Sequence, residues 1–271
     1  MAMLLLWILS LAASFLLPAT GEVVSSFQHC SQFFFNGNPP SNLVPLNPAR
    51  ICQYYMGSYR FATMYDKDGH IPLFSAYKYY PGPGATQMDW KIEPQLAQPW
   101  DHERRSMEPE GTCRIDPLLL AKSQAVWSDY VNAIQYNKGQ LAPVSHQPDE
   151  NFKSATYTFT NIVPQYQELI NGKWAEFLST MRQNTAECSE TYVIVGVVPG
   201  DEFISGGRVN KPSHMWAAVC CLTKNDKKKS FGVIAENNQD KVEWAILKDL
   251  ESKLNHKYGK KGIDLFNGDC Y

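Results

Sequence analysis

Three polar stretches stand out for chemistry. Asn137-Lys138-Gly139-Gln140-Leu141-Ala142-Pro143 is followed by Thr160-Asn161-Ile162-Val163-Pro164-Gln165 and then by Asn171-Gly172-Lys173-Trp174, with Arg182 eight residues beyond the tryptophan. Lys138 and Arg182 are cations suited to holding an anion, and the guanidinium adds a planar donor fork that the ammonium lacks. Gln140, Asn161 and Asn171 are carboxamides, which accept and donate hydrogen bonds but are far too weakly basic to take a proton from water near neutrality. This set of side chains implies binding and orientation of a charged ligand. It contains no base.

The order and spacing of these stretches resemble the DNA/RNA non-specific endonucleases, whose core reads Asp-Arg-Gly-His-Leu-Ala-Pro, then Thr-Asn-x-x-Pro-Gln, then a helix with Asn-x-Gly-x-Trp. Ile71 to Tyr77, Trp90 to Leu96 and Pro212 to Trp216 are similar to that family's other recurrent stretches, so the resemblance runs from about Phe27 to Cys270. It implies a mixed α+β domain with a ββα-metal motif that hydrolyses phosphodiesters. A histidine would activate water, one Mg²⁺ held by an asparagine would stabilise the leaving oxygen, and arginines would hold the phosphate.

Carried over residue by residue, that machinery is incomplete. Gln140 stands at the general-base position, and losing a positioned base costs roughly 10²- to 10⁴-fold in rate. The metal asparagine, four residues before the tryptophan, reads Ile170, which offers a hard cation no lone pair. Asn171 is adjacent, but one residue of shift on a helix turns a side chain by about 100°. Leu178 replaces the family's glutamate, with Glu176 nearby, and Met88 replaces an arginine before Trp90. Lys138 keeps the charge of the motif arginine, Arg182 matches a phosphate-binding arginine, and Asn161 matches a supporting asparagine. His146, beside Asp149 and Glu150, is a substitute base in principle, although a loop histidine after Pro143 has no reason to enter the cleft. The replacements predict attenuated or absent hydrolysis, with DNA, RNA or another anion as a ligand. A working Mg²⁺-dependent nuclease and a protein-recognising extracellular module are the alternatives.

Export sets the context for this scaffold. The first 21 residues have a short apolar core, Leu4 to Leu11, and small residues at Ala19-Thr20-Gly21, the pattern of a secretory leader. The expected mature protein is one domain over residues 22–271. Its formal charge of −2 supplies no global attraction for phosphate, so any such contact must be local. Seven cysteines in an exported chain imply a disulfide framework with one thiol over. Cys30 with Cys52, and Cys188 and Cys270 each with one of Cys220 and Cys221, is the expected scheme, with Cys113 the odd thiol and the connectivity left open. Vicinal cysteines on a strand project to opposite faces, and no ligand spacing suggests zinc.

The positioning elements follow from periodicity. Strands are expected at Phe61 to Tyr65 and Ile71 to Tyr77, around the turn Asp66-Lys67-Asp68-Gly69, and a loop at Pro81-Gly82-Pro83-Gly84. Pro117 to Ile134 carries a weak helical stripe including Trp127 and Tyr130. Tyr166, Leu169, Ile170, Trp174, Phe177, Leu178 and Met181 fall on one helical face, with Pro164 as the helix start. Tyr192 to Val198, Met215 to Leu222 and Phe231 to Ala235 read as strands. Lys224 and Lys227 to Lys229 read as a solvated hairpin tip, and Val242, Ile246, Leu250 and Leu254 as a closing helix.

Overall fold

A computed structural model describes residues 22–82 and 88–271. The leader and the Pro83-Gly84 half of the expected loop lie outside them.

Eight antiparallel strands form the central sheet, in the spatial order Val23–Val24, Pro48–Tyr55, Ser58–Asp66, Ile71–Lys78, Cys188–Val198, His214–Thr223, Lys228–Glu236 and Glu243–Ala245. The two middle strands, Ile71–Lys78 and Cys188–Val198, pair directly, with Ser75 opposite Val195. The hundred or so intervening residues therefore leave and re-enter at the sheet's centre. They build the polar stretches on one face.

Period-two alternation sorts the side chains. Val193, Val195, Val197, Met215, Ala217 and Val219 point to the face that also buries Phe159, Trp174 and Met181. Ile194, Val198, Trp216, Ala218 and Cys220 point to the other, beneath Phe27–Phe33, helix Leu247–Lys257 and the tail around Phe266. With both faces covered, the two middle strands are apolar over most of their buried length, Ser75 and Thr191 being the buried polar exceptions, and each fully buried aliphatic side chain contributes about 1.5–3 kcal/mol relative to exposure. Gly196 is required here, since a Cβ would come within 2.2 Å of the Trp216 ring that covers it.

The disulfides are Cys30–Cys52, Cys188–Cys221 and Cys220–Cys270, leaving Cys113 free. The vicinal pair is thus split between the two faces of its strand. The lysine-rich hairpin tip is exposed as expected, with Lys229 paired to Glu187.

Several expected elements need correction. Pro164 does not start a helix: it lies inside strand Ile162–Tyr166, opposite Lys138 of strand Tyr136–Gln140, as does Tyr166 opposite Tyr136. The expected single helix is two, Gln167–Asn171 and Lys173–Asn184, broken at Gly172 with φ −105° and ψ −115°. The stripe before Ile134 resolves into Pro117–Ser123 and Trp127–Tyr130. Val242 precedes the closing helix, which begins at Leu247.

Candidate functional site

Strand Tyr136–Gln140 pairs antiparallel with Ile162–Tyr166, and the broken helix follows immediately, giving a β-β-α order. Gly139 makes the hairpin possible, because a Cβ there would fall 2.3 Å from Gln165 Oε1. Residues two apart on a strand share a face, which puts Lys138 and Gln140 side by side.

Gln140 turns its amide nitrogen inward, donating to the Thr156 carbonyl at 3.1 Å and to Thr156 Oγ1 at 3.2 Å. Its carbonyl oxygen remains as an acceptor. Asn161, fully buried, donates through Nδ2 to the carbonyls of Ala142 and Thr156, both at 3.0 Å, and accepts at Oδ1 from Ala142 N–H and Ser75 Oγ at 2.9 and 3.0 Å. Every donor and both acceptor directions of that amide are used within the protein. Asn161 accordingly positions the Gln140–Ala142 segment and has nothing left for a ligand.

A buried relay continues behind it. Gln53 Nε2 donates to Thr63 and Thr160, Thr63 Oγ1 lies 3.0 Å from Ser75 Oγ, and Ser75 donates to Asn161. Because Asn161 Oδ1 only accepts, the proton order along Thr63 and Ser75 is determined. The hairpin is thereby locked to the central sheet.

His146 is no loop histidine reaching for solvent. It is 2% exposed, with Nδ1 2.9 Å from the Tyr77 hydroxyl and Nε2 3.1 Å from the Leu178 carbonyl. The carbonyl can only accept, so Nε2 carries the proton and Nδ1 accepts from Tyr77. Burial pulls this imidazole down to about 4, against the raising effect of the Leu178 bond. It is neutral and fully engaged, which removes it as a substitute base.

Lys138 lies among rings. Its ammonium is 4.2 Å from the Trp127 ring centroid and 5.7 Å from those of Trp90 and Tyr130, a cation–π arrangement. Desolvation lowers its proton affinity. Trp127 and Tyr130 are held by Asp129, whose carboxylate receives Arg208 Nε at 2.8 Å, Arg208 Nη2 at 3.1 Å and Ser205 Oγ at 2.6 Å. Although burial opposes its ionisation, those donors keep Asp129 below the usual carboxylate range. A cleft of about 670 Å³ opens beside this cluster, lined by Met88 to Trp90, Pro109 to Thr112 and Trp127.

Arg182 is exposed and has no ion-pair partner among the described residues. It borders two grooves with Tyr79 and Pro81, neither of which includes Lys138. The two cations expected to share an anion therefore front different surfaces.

The metal position does not fit a hard cation. Ile170 presents only carbon, and Asn171, at the end of its short helix, is exposed, with a side chain that bonds to no described residue. The nearest turn is closed off: Asp240 accepts from Lys173 N–H at 2.5 Å, and its carboxylate fills the space a Cβ on Gly172 would need. Among the described residues no three His, Cys, Asp or Glu side chains converge. Glu176 is paired with Lys173.

Residues that the motifs did not flag complete the site. Thr156 and Asp240 carry no motif of their own, and Ser75 was visible only as part of the stretch Ile71 to Tyr77. Trp127 and Tyr130 were visible only as part of a weak helical stripe. Lys91, just after Trp90, is 2% exposed and donates to the Asp89 and Ser154 carbonyls; burial brings its amine down to about 8.

The hairpin-plus-helix hung on an antiparallel sheet, with the three motifs converging on it, defines the class: the chain belongs to the DNA/RNA non-specific endonuclease family, whose model matches residues 40–268. It is 32% identical to the Endonuclease domain-containing 1 protein of Homo sapiens over 240 residues, 86% of this chain and 47% of that one. The Mus musculus protein of the same name is 32% identical over 266 residues, covering 96% and 50%. The chain spans about half the length of these curated relatives. A solved structure described as the crystal structure of the EndoG/EndoGI complex, mechanism of EndoG inhibition, matches with a TM-score of 0.55 over 79% of this chain and 86% of that one. At 15% identity, that likeness is one of fold.

Proposed function

We propose that this protein is an exported, disulfide-braced member of the endonuclease family that binds nucleic acid but hydrolyses it feebly or not at all. The observation that carries the reading is the state of residue 140. A carboxamide with its nitrogen committed to Thr156 offers water one weak acceptor, and the imidazole of His146 is buried with both nitrogens engaged.

Hydrolysis requires a proton acceptor for water and charge neutralisation at the scissile phosphate. Mg²⁺, where the family binds it, supplies the second. Ile170 gives it no oxygen here, and Asn171 is the only neighbouring carboxamide in the motif. Two separate losses multiply, and each alone is worth orders of magnitude. What remains are two cations on separate surfaces, Lys138 among its rings and Arg182 at its own grooves, each able to meet a phosphate.

The test is nicking of supercoiled plasmid with Mg²⁺ or Mn²⁺ by the native protein, Gln140→His, Ile170→Asn and the double variant, each also assayed for DNA binding in EDTA. Native turnover is expected at least 10²-fold below that of the double variant, alongside salt-dependent binding. Brisk native cutting that disappears when Lys138 and Arg182 are changed would establish a working nuclease instead. Absence of polynucleotide binding would point to recognition of another protein.

A further inference from the structure

We propose that the cleft between Trp90 and Trp127 is a stacking subsite for an unpaired nucleobase, with the Lys138 ammonium beside it to meet the adjoining phosphate. This rests on the reading of the protein as a nucleic-acid binder and specifies the form it takes: single strands.

The cleft is a built feature. Glu110 buttresses both walls at once, its backbone N–H donating to the Trp90 carbonyl at 3.0 Å while its carboxylate accepts from Trp127 N–H at 3.0 and 3.3 Å. The Trp127 turn is held a second time through the buried Asp129, paired with the partly exposed Arg208. Trp90 is itself packed on Tyr157 and Phe159, with ring centroids 5.2 and 5.5 Å away. The Trp90 indole is thus packed in place, and the backbone that carries Trp127 is held across the cleft from it. Trp127, held through its backbone N–H, leaves 47% of its surface in solvent.

The charge distribution selects the occupant. A cationic ligand, such as a quaternary ammonium, would normally suit a group of aromatic rings, but the protein's own Lys138 already sits over them and would repel it. A neutral planar ring does not meet that repulsion. Every base has a π face that stacks on an indole whatever its sequence, and the phosphate that accompanies it is complementary to Lys138. Asp89 at the rim and Glu110 in the wall disfavour a second phosphate but can accept from exocyclic amino groups. A volume of about 670 Å³ lies within the range of small-ligand pockets. Bases in a duplex hide their faces, so the subsite discriminates for unpaired ends, gaps and single strands.

Fluorescence anisotropy in EDTA, using a labelled thymidine octamer and an abasic phosphodiester octamer of equal charge, tests this directly. The native protein is expected to bind the thymidine strand about 5- to 100-fold more tightly than the abasic one. Trp127→Ala should bring the two to equality, Trp127→Phe should retain most of the preference, and Lys138→Gln should weaken both strands while reducing the salt dependence by about one counterion. Thermal melts of each variant establish that the fold persists. Equal native affinity for both strands would overturn the stacking subsite and leave polynucleotide binding standing. Failure to bind either strand would overturn both.

Discussion

Gln140 and Asn161 donate to the same oxygen, the carbonyl of Thr156, at 3.1 and 3.0 Å. The two contributions differ in burial, so their removal should differ too. Asn161→Ala strands the N–H and carbonyl of Ala142 in the interior and takes one partner each from the Thr156 carbonyl and the Ser75 hydroxyl, which keep Gln140 and Thr63, and is expected to cost about 2–4 kcal/mol. Gln140→Ala, at a half-buried site, should cost about 1 kcal/mol or less. Urea denaturation of both variants checks the order, and a reversed order would mean that Asn161 is not the structural member of the pair.

His146 makes stability fall on the acid side. Its folded-state affinity for protons is depressed to about 4, below the ordinary imidazole value, so the unfolded chain binds the proton first. The contribution is fully present above about pH 6.5 and is lost as pH falls toward 4. Relative to native protein, His146→Gln should show a shallower acid slope by about 2–3 kcal/mol across that window, measured by denaturant titration at successive pH values.

Glu22 and Glu93 act in the opposite direction. Both are fully buried, and Glu22 Oε2 and both Glu93 oxygens meet no protein donor. Desolvation, then mutual repulsion, raises Glu22 well above the ordinary range, and desolvation pushes Glu93 up to about 8. Here the folded state binds more protons, so stability is present below about pH 4.5 and is lost as pH rises through 8. Glu93→Gln should flatten that loss and exceed the native stability above neutrality by on the order of 2 kcal/mol. An unchanged pH profile would show that the pair is not protonated.

Thiol titration should find one free group per folded chain, Cys113, whose sulfur lies 3.6 Å from Arg104 Nη2. Cys113→Ser is expected to leave the melting temperature nearly unchanged, whereas removing Cys188–Cys221 should lower stability by about 2–4 kcal/mol. More than one reactive thiol in native protein would contradict the three-disulfide arrangement.

Much of the architecture was legible because it is local or periodic. The valine run ending at Pro199-Gly200, the alternation through Met215 to Leu222 and the parity of the cysteines each carry their own signal, and the three motifs appeared in order. Pro164 misled because its fixed φ suits the first turn of a helix and also an edge strand, and only the partner Lys138 decides between them. The break at Gly172 was hidden for a related reason: the carboxylate that occupies the space there belongs to Asp240, far along the chain. Lys138 read simply as the cation at the motif arginine's position because charge is visible in sequence, whereas the rings around it, from residues 90, 127 and 130, converge only on folding.

The adjacent cysteines of strand His214–Thr223 also decide how the molecule bears tension. A pull on Tyr271 passes through Cys270 directly to Cys220 in the interior of the sheet, bypassing helix Leu247–Lys257, while its neighbour Cys221 fastens the opposite face to the segment leading out of Lys173–Asn184. Under load the closing helix should stay wound until the central strands themselves shear, and reduction should change that order of failure.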